Sequence, residues 1–375
     1  MTIYFDVSAA VHRRAGLGRY ADSLARALLP LLGDRLALFY NREQGIEPPV
    51  GLERLSARTV ALGYKPWRMA VWAGQLAHAG FNRLLPGAEL FHATEHLLVP
   101  LRGVPTVLTV HDLIFRHLPQ HHKRLNRWYL NMTLPLYCRR AGHIIAVSEL
   151  TRRDLISSYR LPAEKITTVY EAADPQFRPQ LAQACAAIRS RYNLPERFIL
   201  FVSTLEPRKN LVRLLAAWEP LYQAGVAPHL VIAGKQGWLY GEFAVALERS
   251  PARDGVILTG YFPDGDLPAL YSAAEAFVFP SLFEGFGLPV LEAMACGTPV
   301  ACSGSSTLPE VAGSAALFFD PEDVEAIRSA LSEMLTHADL REDLRRRGLA
   351  QSERFSWGRA GEETLAVYRR VCPGL

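Results

Sequence analysis

Along this chain, apolar runs of strand length alternate with segments whose apolar positions recur at helical spacing. This is the pattern of a parallel α/β sheet, whose strands are covered on both faces and so read as unbroken Val, Ile, Leu and Phe. Strands are predicted in the front half at residues 3–7, 36–40, 90–92, 107–110, 144–147 and 166–170. The back half repeats the pattern at 198–202, 230–233, 256–258, 276–279, 300–302 and 316–319. Two equal sets predict two doubly wound units of similar size. The polar, proline-containing stretch Asp174-Pro175-Gln176-Phe177-Arg178-Pro179 lies between them and reads as a linker. The expected domains are therefore 1–175 and 176–356, with a last helix from Trp357 to Val371 inside 357–375.

Composition leaves this picture intact. A length of 375 residues suits two domains, and 49% hydrophobic with 21% charged residues is ordinary for a globular protein. The start, Met1-Thr2-Ile3-Tyr4-Phe5-Asp6, reads as a strand rather than a secretory signal, and no window approaches the roughly 18 apolar residues of a spanning helix. Cys138, Cys185, Cys296, Cys302 and Cys372 are scattered without a Cys-x-x-Cys pair, which fits a reduced, cytoplasmic compartment. Net charge is only +4, but residues 1–180 carry 23 Lys and Arg against 14 Asp and Glu. A basic front half suits an anionic membrane or a phosphorylated acceptor, and equally a drift in composition. No recognition motif accompanies the charge, so nucleic acid is not an expected partner.

The chemistry concentrates in Glu284-Gly285-Phe286-Gly287-Leu288-Pro289-Val290-Leu291-Glu292, directly after the apolar run 276–279. Pro289 suits the first position of a helix, where its missing N–H costs nothing. The amides of Phe286, Gly287 and Leu288 would then face whatever precedes the helix, an arrangement that favours anions. A carboxylate accepts two hydrogen bonds from a vicinal diol, so Glu284 in the loop and Glu292 in the first turn suit a ligand with both hydroxyls and phosphate, such as a sugar nucleotide. Arg208 and Lys209 follow the strand at 198–202. Arg208 can grip two oxygens in a plane and Lys209 adds a point charge, a pair suited to a diphosphate. Gly16 and Gly18 precede a helix expected at 20–32, where glycine would let the backbone approach a phosphate.

The Glu284–Glu292 stretch, with its flanks Pro280-Ser281-Leu282-Phe283 and Ala293-Met294-Ala295-Cys296-Gly297-Thr298-Pro299-Val300, closely resembles the signature of the retaining glycosyltransferases of family four. The resemblance implies the GT-B fold, two Rossmann-like domains facing each other across a cleft, with the terminal helix packed back on the first. It implies a metal-independent hexosyltransferase, without a cofactor, that uses a nucleotide-diphosphate sugar and a glycan or lipid-linked acceptor. Glu292 would hold the ribose diol, while Glu284 and the Phe286–Leu288 amides would address the donor sugar. Arg208 and Lys209 would stabilise the departing diphosphate, Gly16 and Gly18 would contact it from the other domain, and His111 would contact the transferred sugar. Lys235, in Gly234-Lys235-Gln236-Gly237-Trp238, resembles the wording of mannosyltransferases in the family and would approach the base or phosphate; GDP-mannose is the first donor implied and UDP-glucose the second. The chain departs from the family at Glu171-Ala172-Ala173-Asp174, where Asn-Gly is usual, and at Ala274-Glu275-Ala276.

Other motifs carry less. Asp264-Gly265-Asp266 has the form of a metal-holding Asp-x-Asp, but it precedes a helix at 267–274 and reads as helix capping, so no metal site is expected. His117, His121 and His122 read as the surface of a basic helix. Lys65–Leu85 and His121–Arg140 mix Trp with Lys and Arg, which fits either a core-facing stripe or a peripheral membrane contact. Two further classes stay open. An NAD-dependent oxidoreductase would use Gly16-x-Gly18 with Glu43 on the ribose, although Gly16 lies well past the first strand. A non-catalytic sugar-nucleotide or lipid-glycan binding protein would keep the fold without turnover.

Overall fold

In the computed structural model, which describes residues 2–42 and 48–375, every strand pairing is parallel. Glu43 lies outside the described residues. The chain divides into two compact units, the first comprising Met1–Arg116, Lys123–Glu171 and Ser356–Leu375, the second His117–His122 and Ala172–Phe355. The break falls after Glu171 rather than after 175. The assignment of 117–122 to the second unit is one that no single linear boundary can express.

The first unit holds β1 (Thr2–Asp6), β2 (Leu36–Asn41), β3 (Ala57–Val60), β4 (Ala88–Ala93), β5 (Thr106–Val110), β6 (His143–Ala146) and β7 (Ile166–Thr168), in the order β3-β2-β1-β4-β5-β6-β7. The second holds β8 (Phe198–Val202), β9 (His229–Ala233), β10 (Val256–Gly260), β11 (Ala276–Phe279), β12 (Val300–Ser303) and β13 (Ala316–Phe319), in the order β10-β9-β8-β11-β12-β13. Both are Rossmann-like sheets, as the apolar runs imply. The strand the sequence does not reveal is β3. Its residues Ala57-Arg58-Thr59-Val60 are exposed or half-buried at the sheet edge, so no apolar run marks it.

The central strands are buried on both faces, from Phe198 to Val202 without a break, and they anchor a core containing Trp218, Tyr271 and Met294. The first unit has its own core around Phe39, Trp67, Phe91 and Tyr137. The helix Trp357–Val371 belongs to that unit. Ser356 caps it by accepting from the Arg359 amide at 3.2 Å, and the buried Tyr368 hydroxyl meets His92 Nδ1 at 2.7 Å.

In open α/β sheets ligands bind beyond the carboxyl ends of the strands, where the strand order reverses. That point lies between β1 and β4 in the first sheet and between β8 and β11 in the second. The loops following β8 and β11 are those carrying Arg208, Lys209 and Glu284.

Candidate active site

The turn Pro207–Lys209 follows β8 and ends at Asn210, whose left-handed backbone (φ 63°) suits asparagine. The buried Asn210 amide donates to the carbonyls of Pro280 at 3.1 Å and Pro321 at 2.6 Å, tying this loop to the one after β11. The Leu282 amide donates to the Arg208 carbonyl at 2.8 Å, and Arg208 Nη1 returns a bond to the Phe283 carbonyl at 3.0 Å. Together these bonds bring cations and carboxylates into one network. Lys209 Nζ lies 2.6 Å from Glu284 Oε1, Arg208 Nη1 lies 2.8 Å from Glu284 Oε2, and Arg208 Nε lies 2.6 Å from Glu206 Oε1. Ser281 Oγ donates to Glu284 Oε1 at 2.5 Å.

The network is nearly dry. Lys209 is 4% exposed, Glu206 5% and Glu284 7%. Burial alone would raise the Glu284 carboxyl, but Arg208, Lys209 and the bonds from Lys209 and Ser281 outweigh it and hold the group down at about 2. Lys209 shifts downward as well, first through burial and then through Arg208, because two cations share one carboxylate. Burial pushes Glu206 up against the pull of Arg208 and Lys209. The arrangement is thus a preorganised pair of cations, Lys209 buried and Arg208 half-buried, whose charge is balanced by Glu206 and Glu284. A cavity of about 470 Å³ adjoins it, lined in part by Glu206, Asn210, Arg213, Tyr240 and His121.

Gly287 sits at the N-terminus of the helix Leu288–Ala295, so the helix begins one residue earlier than expected and Pro289 is its second residue. Gly287 has φ 109°, and a Cβ there would come 2.6 Å from Leu308 Cδ2, so only glycine fits the turn. The amides of Gly287 and Leu288 stand where no intrahelical carbonyl precedes them. Glu292 is the fifth helical residue, in the second turn rather than the first. It is 2% exposed and accepts from the Tyr271 hydroxyl at 3.0 Å. Lys235 follows β9 and places Nζ 4.3 Å from the centre of the Tyr261 ring.

The three remaining candidates belong to the first unit. His111 directly follows β5, with Nε2 at 2.9 Å from the Thr94 carbonyl and Nδ1 at 3.1 Å from Glu171 Oε1. Gly16 and Gly18 do not form a loop before a helix at 20–32, because the helix already spans Ala15–Leu32. The turn into it is made by Arg13 (φ 50°) and Ala15 (φ 37°), and Gly18 has a packing role: a Cβ there would lie 2.9 Å from the Ala9 carbonyl oxygen. A tight dinucleotide-binding turn directly after β1 is absent from these residues, since the helix Ser8–Val11 intervenes.

Other expectations are corrected. Asp266 does not cap its helix with its side chain; the carboxylate instead accepts from Arg191 at 2.9 Å and from the Tyr192 hydroxyl at 2.6 Å. His117, His121 and His122 do not share a helical face. His117 ends a four-residue helix and stacks on Phe283 at 4.5 Å, while the His121 carbonyl accepts from Trp238 Nε1 at 2.7 Å. Sequence reasoning missed the scaffold of the site. Thr307 Oγ1 donates to the carbonyls of Glu284 (3.1 Å) and Phe286 (2.9 Å), and the Glu284 amide donates to Ser306 Oγ at 3.1 Å. The hydroxyl cluster Ser303–Thr307 was the available signal, but hydroxyls in loops are too common to assign a partner. Among the described residues no group of three or more His, Cys, Asp or Glu is placed to hold a metal ion.

Comparison with known proteins assigns the chain to a family. The family of glycosyl transferases group 1 matches residues 187–351, and Glycosyltransferase Family 4 matches residues 14–177. O-antigen chain mannosyltransferase B of Escherichia coli is 36% identical over 282 residues, covering 75% of this chain and 74% of the relative. Serotype-specific mannosyltransferase WbdA of Escherichia coli is 32% identical over 285 residues, 73% of this chain but only 34% of that longer protein. Among solved structures, sucrose-phosphate synthase of Thermosynechococcus elongatus superimposes with a TM-score of 0.82 over 100% of both chains at 20% identity, a likeness of fold alone. With two Rossmann-like sheets of the GT-B type and a relative more than a third identical along most of its length, this chain belongs to the group 1, family four glycosyltransferases and is a hexosyltransferase.

Proposed function

We propose that the chain is a retaining mannosyltransferase that moves mannose from GDP-mannose to a glycan or lipid-linked acceptor without a metal or a cofactor. The observation that carries the proposal is the buried Arg208–Lys209–Glu284 network at the strand-order reversal of the second sheet. In sugar transfer the bond from the anomeric carbon to the diphosphate oxygen breaks, and negative charge grows on the diphosphate. Two fixed cations in a dry site stabilise that charge far better than water would, and each such donor is worth about 100-fold or more in rate. Glu292 takes the ribose diol, the amides of Gly287 and Leu288 and the Glu284 loop take the sugar and phosphate, and Lys235 lies toward the base. Contact of Gly16 and Gly18 with the diphosphate is part of the same proposal. The acceptor hydroxyl attacks on the face the diphosphate leaves, and the leaving phosphate receives its proton, so no protein nucleophile is needed. The printed activities of the two Escherichia coli relatives favour mannose as the sugar and a polysaccharide as the acceptor.

Peripheral contact with an anionic bilayer belongs to this proposal as well. The helices Tyr64–Leu76 and Arg124–Arg140 contain no acidic residue, and their Trp72 and Trp128 rings meet at 5.6 Å. Met69, Leu76, Leu125, Trp128 and Met132 are exposed beside Lys65, Arg124 and Arg127. Apolar and aromatic side chains ringed by cations suit a membrane interface. No helix among the described residues is long and apolar enough to cross a membrane.

The test is calorimetric titration of GDP, UDP and ADP without metal, followed by turnover with the matching sugar donor and nuclear magnetic resonance of the product's anomeric centre. Selective GDP binding and a product of unchanged anomeric configuration are expected. An inverted product would overturn the retaining mechanism, and preference for UDP would overturn the mannose donor.

A further inference from the structure

Three histidines, His92 and His111 buried and His96 half-buried, lie close together at the carboxyl edge of the first sheet, and their partners differ. His92 Nε2 and Nδ1 meet the hydroxyls of Thr109 (2.8 Å) and Tyr368 (2.7 Å), groups that can donate or accept. His96 Nε2 accepts from the His111 amide at 3.1 Å, so that nitrogen carries no proton. Burial first, reinforced by the charge of His111, holds these two rings neutral, pulling His92 down to about 3 and His96, against nearby Asp112, to about 4.

His111 is placed differently. Its Nε2 faces the Thr94 carbonyl at 2.9 Å, a group that can only accept, so Nε2 must carry hydrogen. Its Nδ1 faces the Glu171 carboxylate at 3.1 Å, which also accepts when ionised. Two acceptors on two ring nitrogens specify an imidazolium. Burial works against that charge, but the Glu171 bond and charge, the Thr94 carbonyl and nearby Asp112 outweigh it and hold the ring above its ordinary value. The remaining neighbours are the Tyr20 ring, packed edge-on at 4.7 Å, and the neutral His92 and His96.

We propose that Glu171 is a positioning residue that keeps His111 doubly protonated, so that the ring serves the transfer reaction as a fixed cation and never as a proton acceptor. Both N–H groups are committed within the protein, and the ring's contribution to an electron-rich donor or acceptor is its charge. The inference rests on the glycosyltransferase reading for its meaning in catalysis, but the protonation state can be measured without any substrate.

The experiment is ¹H–¹⁵N resonance spectroscopy of the full chain labelled with ¹⁵N-histidine, with and without Glu171→Gln. The wild-type His111 ring is expected to show two protonated nitrogens at neutral pH, and the variant, left like His92 without a carboxylate partner, only one. A wild-type ring with one bare nitrogen near neutrality overturns the proposal, and this result needs no variant to fold. If transfer is established, Glu171→Gln should run about tenfold below wild type across the neutral range, and Glu171→Asp should restore both the rate and the second ring proton. A loss of transfer in Glu171→Gln with both His111 ring nitrogens still protonated would mean that Glu171 only supports the fold, and would overturn the proposal. Absence of transfer by wild type itself would count against the activity while leaving the resonance result to decide the charge.

Discussion

Replacing Glu284 with Gln tests the energetic logic of the site most directly. The substitution keeps the shape of the side chain but removes the one negative charge that Arg208 and Lys209 share at 2.8 and 2.6 Å. Lys209 is then left 4% exposed with Glu206 as the nearest remaining carboxylate, and that group is already engaged by Arg208. Leaving a buried charge without its partner costs about 3–5 kcal/mol. The cost has a ceiling, because Lys209 can give up its proton, and discharging a lysine at neutral pH from its ordinary value costs about 5 kcal/mol. The expected loss for Glu284→Gln is therefore about 3–5 kcal/mol, read by urea unfolding of the second unit through the fluorescence of Trp218 and Trp238. Lys209→Met leaves Glu284 with Arg208 and Ser281 and should cost only about 1–2 kcal/mol. Combining the two removes the stranded cation, so the double variant should be more stable than Glu284→Gln alone by at least about 1 kcal/mol. Losses that simply add, within about 0.5 kcal/mol, would refute the claim that these groups form one charge network. Acid unfolding gives a second reading. The Glu284 carboxyl is lowered on folding from 4.5 to about 2, so its stabilisation is present above pH 4.5 and lost as the pH falls toward 2. That lowering corresponds to roughly 3 kcal/mol, a pH-dependent loss that the Glu284→Gln variant should lack over the same window.

Three further outcomes are expected. Glu292→Ala should weaken nucleoside diphosphate binding about tenfold in calorimetry, the loss of one diol contact, and unchanged affinity would remove Glu292 from the ribose site. Gly287→Ala forces a side chain into φ 109° and against Leu308, so it should lower stability by about 1–3 kcal/mol and reduce turnover, both measurable on one preparation. Replacing Leu125, Trp128 and Met132 with Ser should abolish flotation with anionic vesicles while leaving turnover on a soluble acceptor within about twofold of wild type; retained flotation would exclude this face.

Local chemistry made much of the molecule readable. Phe198–Val202 and Ala276–Phe279 have the limits their apolar runs predict, because a strand covered on both faces admits no polar break. The helix Trp357–Val371 was equally plain. The strand Ala57–Val60 was not, since an exposed edge imposes no apolar pattern. The helix start at Ala15 was missed because glycines were read as a loop, when Gly18 is needed for its small size against Ala9.

By itself the sequence determined the α/β class, the family, and the identity of the charged residues, because apolar periodicity and a dense local motif are properties of neighbours along the chain. Only the tertiary structure decided how those charges are spent. Residues 75 apart in sequence, Lys209 and Glu284, become a 2.6 Å pair because β8 and β11 are adjacent at the reversal of strand order, and that adjacency sets the depressed carboxyl of Glu284. His111 and Glu171 likewise meet across 60 residues, and His92, of the same residue type and equally buried, stays neutral for want of a carboxylate. Charge state depends on burial and on partners within a few ångströms, and neither quantity is local in sequence.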